Sequence, residues 1–465
     1  MFSSAEFHFS LLDYFFFVLV FVVSVAIGIY YSIKAKRHGS NIEDYLLGGR
    51  NMQVLPISFS LASTAISGST MLGQSSEIYA YGVHSWIFLL LGVFRLLMVQ
   101  FIFLPVFYEL QLVSSFTYLE RRFDHTVKVF AGVVFILSGF LYVPLTIYVP
   151  SLAFQEVTGV NLYVIVVIVM GLCVWYTAIG GIKAVVWTDM FQLILMVASA
   201  LVILGVGWYN VGGLENVWQA MDRGGRLIFF KLDLDLEARG TLWAYMFSIM
   251  FASAYGLGLT QSCIQRYTSV PTIRKAKYCI WIQFFLINAL IGIEIIIGAV
   301  MYTAYEDCDP YSIGLVRKVD QLLAFFVQER ASLFPGFNGI FIAGVVSAGL
   351  SSTSSYLNTM SGTIYNDFLA KKFKHASDEK ANNIMKLIVV ILGAISVLLI
   401  LIVERMGTVL TITFQSIGIA TVTIMGLFIL GMLFPQVNSK NVHCRLNPET
   451  PDEGIAKKAQ TRTKI

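Results

Sequence analysis

Apolar residues run along this chain in blocks of about 20, divided by short stretches where charged residues, Gly and Pro gather. A helix needs roughly 20 apolar residues to cross about 30 Å of hydrocarbon. Eleven blocks meet that length, with cores at 11–33, 54–73, 83–108, 128–154, 160–178, 185–209, 243–262, 278–304, 337–363, 384–403 and 408–434. The pattern predicts an all-α integral membrane protein. The first block, LLDYFFFVLVFVVSVAIGIYYSI, is longer than a cleaved signal core and is followed by no small-residue cleavage site, so it reads as a retained span.

Composition supports that solvent assignment. Of 465 residues, 57% are hydrophobic and 13% charged, against about a quarter charged in soluble domains. Basic residues then set the expected orientation. With the N-terminus outside and the C-terminus cytoplasmic, the inner segments, including QRYTSVPTIRKAK and the turn at Lys183, carry 23 of the 32 Lys and Arg, and the outer segments 8. The net charge of +4 is therefore a property of the cytoplasmic face and no argument for nucleic acid.

Two spans contain polar or Gly interruptions. SFSLASTAISGSTMLGQ breaks the second, and FASAYGLGLTQS, with Gly256 and Gly258, breaks the seventh. Setting the first span aside, these are the opening helices of two five-helix halves. Paired interruptions of that kind point to a midplane site in an inverted-repeat transporter, with unwound carbonyls for a cation and N–H groups for an anion. Unrelated kinks would give the same local signal. The expected domains are 1–50 (first span and cytoplasmic loop), 51–210 and 211–435 (the two repeats, the second with outer loops) and a polar cytoplasmic tail, 436–465.

The stretch VVSAGLSSTSSYLNTMSGTIYNDF, residues 345–368, holds nine Ser and Thr. Ala348, Ser351, Ser352, Ser355, Thr359 and Gly362 fall on one helical face. Small residues let membrane helices pack closely, so the stripe reads as a packing seam, or else as a hard-cation site in which hydroxyls and carbonyls replace water around Na⁺. Asp189, at the expected cytoplasmic start of the sixth span, reads either as an acid satisfied by a helix N-terminus or as a way station for a cation moving inward. Arg95, inside LLLGVFRLLMVQF, needs a cavity or a counter-charge: an anionic solute or a structural ion pair. The five Cys, at 173, 263, 279, 308 and 444, form no disulfide or metal framework, and no His/Cys/Asp/Glu cluster or G-x-S-x-G elbow suggests an enzyme.

Several longer runs carry a resemblance: DYLLGGRNM, MLGQSSEIYAYG, PVFYELQLVSSFTYLERRF, YTAIGGIKAVVWTDMFQ, QSCIQRY, YEDCDPYS and SSTSSYLN. Together, from Asp44 to Val437, they resemble the sodium/solute symporter family, most closely its monocarboxylate, multivitamin and iodide branch. The resemblance implies a LeuT-like 5+5 inverted-repeat bundle with one preceding span. It places a sodium site on the backbone oxygens of Ser63 and Ile66, the carbonyl of Ala348 and the hydroxyls of Ser351 and Ser352. It puts Asp189 with Ser352 and Ser355 on a second ion position or exit path, Thr70 at a substrate-contacting position and Tyr255 near an inner-gate aromatic. Relatives continue into further spans beyond LFILGMLFPQVNSK, whereas this chain turns polar, so peripheral C-terminal spans are expected to be absent.

The expected function is Na⁺-coupled import of a small organic anion, monocarboxylate-like, across the plasma membrane by alternating access, with Na⁺ as coupling ion, no cofactor, lipid around the bundle and no nucleic-acid partner. A vitamin, iodide, or a sugar or polyol are the alternative solutes. A solute sensor or Na⁺ leak channel on the same scaffold is the reading from another class.

Overall fold

The computed structural model describes residues 10–38, 41–234, 241–316, 319–330, 335–373, 375–405 and 409–438. The expected polar tail therefore lies outside the described residues, apart from its first three positions.

Among the described residues the regular structure is helical. In chain order, α1 (Leu11–His38) and the short α2 (Ile42–Leu47) lead to α3 (Val54–Ala65) and α4 (Gly68–Tyr81), two halves of one bent span. Next come α5 (Ile87–Met98), running through a π-helical turn into α6 (Leu104–Leu110), then α7 (Phe116–Arg122), α8 (His125–Thr158), α9 (Leu162–Val211) and α10 (Leu214–Arg223). The second half holds α11 (Leu242–Phe247), two π-helical turns, α12 (Gln261–Tyr267), α13 (Ile273–Ala304), α14 (Leu322–Arg330), α15 (Phe337–Thr363), α16 (Asp378–Arg405) and α17 (Val409–Leu433). Eight helical runs are long and apolar enough to cross a membrane, and α3 with α4 makes nine. The cores expected at 160–178 and 185–209 share the 50-residue α9, and that expected at 408–434 is α17, whose described apolar part is Ala420–Leu433.

Both expected interruptions are present. At the first, Ile66 and Ser67 adopt extended backbone and the axis turns by 61°. Ser67 caps the new helix by accepting from the Thr70 amide, as a serine at that position should. At the second, the π-helical turn Tyr255–Leu259 ends at an extended Thr260, whose hydroxyl accepts from the Cys263 amide. Tyr267 Oη donates to the Leu257 carbonyl at 3.1 Å, supplying a donor where the helical ladder is irregular.

The turn expected at Lys183 is a kink, not a loop. Gly181 (φ 57°, ψ −156°) occupies a conformation that a side chain disfavours, and α9 continues past it. Lys183 pairs there with Asp44 at 2.5 Å.

The bundle is organised around α15. Among the described residues 89% of its apolar stretch is buried, against 50% or less for each of the other seven unbroken spans. It packs on α9, α8 and α1. Polar pins fix each contact: Tyr176 Oη donates to the Leu350 carbonyl at 3.4 Å, Thr146 and Thr353 share a hydrogen bond of 2.7 Å, and Asp13 Oδ1 accepts the Gly339 amide at 2.6 Å. The hydroxyl-rich stretch thus runs through the centre of the protein, against the break in the first core span.

Candidate functional site

Where α3 stops, its last carbonyls lose the donors that a continuing helix would supply. Those carbonyls face the small side chains of α15. Ser351 Oγ lies 3.1 Å from the Ser63 carbonyl and 3.1 Å from the Ala348 carbonyl, and Ser352 Oγ lies 3.4 Å from the Thr64 carbonyl. Ser63, Ile66, Ala348, Ser351 and Ser352 are all buried. Three of the five expected positions, Ser63, Ala348 and Ser351, are joined directly; Ser352 bonds the Thr64 carbonyl instead, and Ile66 follows within the same break. The arrangement supplies neutral oxygens from two helices of opposite repeats with no acid among them.

About one turn away along both helices is a charged network. Asp189 Oδ2 accepts from Ser60 Oγ at 2.6 Å, Arg266 Nη2 at 3.0 Å and Ser355 Oγ at 3.3 Å. Arg266 also donates through Nε to Ser60 Oγ at 2.7 Å, through Nη2 to Ser355 Oγ at 2.5 Å, and through Nη1 to the backbone and hydroxyl of Ser262. Thr64 Oγ1 reaches Ser355 Oγ at 2.9 Å. Asp189 Oδ1 is buried and accepts no hydrogen bond.

This network corrects two expectations. Asp189 lies about two turns beyond the kink at Gly181 inside a continuing helix, where a helix N-terminus has little effect; its partner is a buried guanidinium. Arg266, assigned to a cytoplasmic loop by the basic-residue count, is 2% exposed within α12. The available signal was its place in QSCIQRY, directly after an apolar run. Ser60 and Thr64 were also missed, although SFSLAST places Ser63 and Thr64 three and four residues after Ser60, on one helical face.

The expected solute residues are more spread out. Thr70 is partly buried at the start of α4, with its hydroxyl 3.1 Å from Ser67 Oγ. Tyr255 is buried in the π-helical turn. Arg95 is buried on α5, its guanidinium within electrostatic range of Cys263 and Tyr267 on α12. Cys263 also neighbours Tyr255 and Tyr356, and the Tyr142 and Tyr356 ring centroids are 4.6 Å apart. Tyr142 in turn reaches Ser352 and Ser67. Cys263 and the tyrosines therefore link Arg95 to the break in the first core span, and Tyr142 and Tyr356 were not anticipated. Among the described residues no group of His, Cys, Asp and Glu has metal-binding geometry.

A family model described as "Sodium:solute symporter family" matches residues 45–441. The chain belongs to that family. Its members are transporters rather than enzymes, and Na⁺ is the coupling ion. The chain is 33% identical over 433 residues to sodium-coupled monocarboxylate transporter 2 of Homo sapiens, covering 93% of this chain and 70% of that one. It is 33% identical over 427 residues to sodium-coupled monocarboxylate transporter 1 of Homo sapiens, covering 92% and 70%. Against the sodium-dependent multivitamin transporter of Oryctolagus cuniculus it is 33% identical over 431 residues, covering 92% and 68%. A solved structure of a Na⁺-coupled sialic acid symporter, substrate-bound and outward-open, superposes with a TM-score of 0.83 at 24% identity, covering 93% of this chain and 89% of that one. That likeness shows the fold, a multi-span, LeuT-like helix bundle.

Proposed function

We propose that this chain is a plasma-membrane symporter importing a small organic anion of the monocarboxylate class with Na⁺, its N-terminus outside and C-terminus cytoplasmic. The observation that carries the reading is the position of Ser351 Oγ, 3.1 Å from carbonyls on both α3 and α15. Na⁺ entering there is held by the Ser63, Ile66 and Ala348 carbonyls, while the Ser351 and Ser352 hydroxyls turn their protons away and present lone pairs. Neutral oxygens replace hydration without fixing a charge, so the ion can be released.

Asp189 and Ser355 form the next station inward. Its carboxylate is already neutralised by Arg266, so an arriving Na⁺ meets Asp189 Oδ1, the oxygen without a partner. The solute is held between the break and Arg95, with Thr70 and Tyr255 among its contacts. A carboxylate suits a guanidinium that makes no salt bridge among the described residues, and two monocarboxylate transporters stand among the relatives. Alternating access then moves ion and solute together, each Na⁺ gaining roughly 2.3 kcal/mol per 100 mV of membrane potential.

Uptake of labelled lactate, biotin, iodide and glucose by cells expressing the chain, with Na⁺ or choline outside, tests the reading. Lactate accumulation that requires Na⁺ is expected. Uptake of none of the four, or of lactate equally in choline, overturns it.

A further inference from the structure

Glu294 lies well inside α13, is 2% exposed, and among the described residues neither of its carboxylate oxygens has a hydrogen-bond partner. The helix that covers it is α4. Ser75 Oγ donates to the Glu294 carbonyl at 3.1 Å, and one turn on, a Cβ added to Gly298 would come within 2.5 Å of the Ser75 carbonyl and 2.6 Å of Ile78 Cβ. The two helices therefore touch backbone to backbone beside an acid sealed from water.

No neighbour supplies a counter-charge. α3 contributes no acid or base. The groups on the other elements packed against α13 are Glu77, Tyr79 and Tyr81 on α4, His84 after it, Arg95 on α5, Tyr108 and Glu109 on α6, Tyr163, Cys173, Tyr176, Lys183, Asp189 and Tyr209 on α9, and Glu215, Asp222 and Arg223 on α10. Among the described residues none of them forms an ion pair with Glu294. Several are engaged elsewhere: His84 Nε2 lies 4.0 Å from Glu77, Tyr79 bonds Asp309 at 2.7 Å, Lys183 pairs with Asp44 at 2.5 Å, Asp189 with Arg266 at 3.0 Å and Arg223 with Glu306 at 2.8 Å.

An ionised carboxylate without donors costs several kcal/mol in such surroundings, so a cation must sit on it. Na⁺ needs a shell of oxygens. Here the Ser75 hydroxyl is already committed to the backbone, and Ile78, Leu290 and Ile297 are buried around the same contact. A proton needs no shell.

We propose that Glu294 is a proton-binding site: its carboxylate takes one proton and is carried as the neutral acid while α4 packs on α13, and it releases that proton to water when the two helices part. The second half rests on the alternating-access reading, the first does not. Acid then favours the packed arrangement, and alkali favours separation, because ionisation is tolerated only once water reaches the carboxylate.

The proton is read directly by the infrared carboxylic-acid C=O band of the purified full chain, in Na⁺-free buffer, titrated from neutral to alkaline pH. The wild type should show the band at neutral pH and lose it on alkalinisation; Glu294→Gln should lack it. Glu294→Met, apolar and of like length among isoleucines, should lack it too and stands in if the amide variant does not fold. A wild type without the band, a variant that retains it in full, or loss of the wild-type band on adding Na⁺ at constant pH overturns the proton site. Where uptake is Na⁺-dependent, its shift with external pH should flatten in Glu294→Gln; an unchanged pH profile removes the coupling to helix separation. Absence of uptake with the band present counts against the transport reading and leaves the proton site standing.

Discussion

Arg266 Nη2 stands 3.0 Å from Asp189 Oδ2, and the two side chains are 2% and 0% exposed. Through Ser60 and Ser355 the pair joins α3, α9, α12 and α15, which bring together the two expected repeats. Such a pair contributes less to net stability than its contacts suggest, because both ions lose hydration. Removing one partner is another matter.

Arg266→Met should therefore lower the thermal stability of the detergent-solubilised protein by the equivalent of about 3–5 kcal/mol, since Asp189 is left charged and unpaired. Adding Asp189→Asn should recover much of that loss. Asp189→Asn alone should slow turnover more than it weakens Na⁺ activation, because its charge acts after the ion has left the Ser351 site. Melting curves followed by size-exclusion fluorescence, beside single-turnover uptake, decide it. A double variant no more stable than Arg266→Met alone would show that the pair is not the coupled unit.

The second prediction concerns the oxygens of α15. Ser351→Ala with Ser352→Ala deletes two of about five proposed ligands, and a hydrogen-bond-strength contact to a charge contributes about 1.5–3 kcal/mol. The Na⁺ concentration for half-maximal uptake should rise tenfold or more, with surface expression little changed. An unaltered Na⁺ requirement in protein that reaches the surface would return both serines to helix packing.

These serines were legible because a helix repeats every 3.6 residues, so spacing alone placed 348, 351, 352 and 355 on one face. Both span breaks were legible for a similar local reason: hydroxyls and glycines interrupt apolar runs. Arg266 was not, because an arginine after an apolar run looks the same whether it enters the cytoplasm or folds back toward an acid 77 residues earlier. The kink at Gly181 was read as a loop because polarity rises there, while the helix continues through one glycine. Glu294 gave no pattern at all: a single acid in IGIEIIIGAV gains meaning only when α4 is seen to cover it.

The third prediction is a pH dependence at the face bearing α7. Glu120 accepts from Lys128 Nζ at 2.7 Å and from His125 Nδ1 at 2.8 Å. The Lys128 hydrogen bond, with partial burial opposing and His125 assisting, holds its carboxyl below the ordinary 4.5. A folded value below the unfolded one means stability that is fully present above pH 4.5 and fades as pH falls through the lower folded value. Wild type should then exceed Glu120→Gln in melting temperature at neutral pH, and the gap should close on acidification below that value. A gap independent of pH would assign the difference to packing.

The fourth prediction turns on Arg95. Its guanidinium is buried between α5 and α12 beside Cys263 and Tyr267, and among the described residues no carboxylate pairs with it. A carboxylate solute supplies that balance through two parallel hydrogen bonds, which the amide of Gln cannot reproduce. Arg95→Gln should raise the apparent KM for lactate by roughly tenfold or more, the equivalent of about 1.5–3 kcal/mol for a charged hydrogen bond, and should affect a neutral solute of like size far less. The Na⁺ concentration for half-maximal uptake should move little, because the proposed ligands of the ion lie on α3 and α15. Paired uptake curves for charged and neutral solutes, with Na⁺ titrated in each, separate the outcomes. Equal losses for both solutes would make Arg95 a packing residue whose charge the solute does not read, and a rise confined to the Na⁺ requirement would move it from the solute path to the ion path.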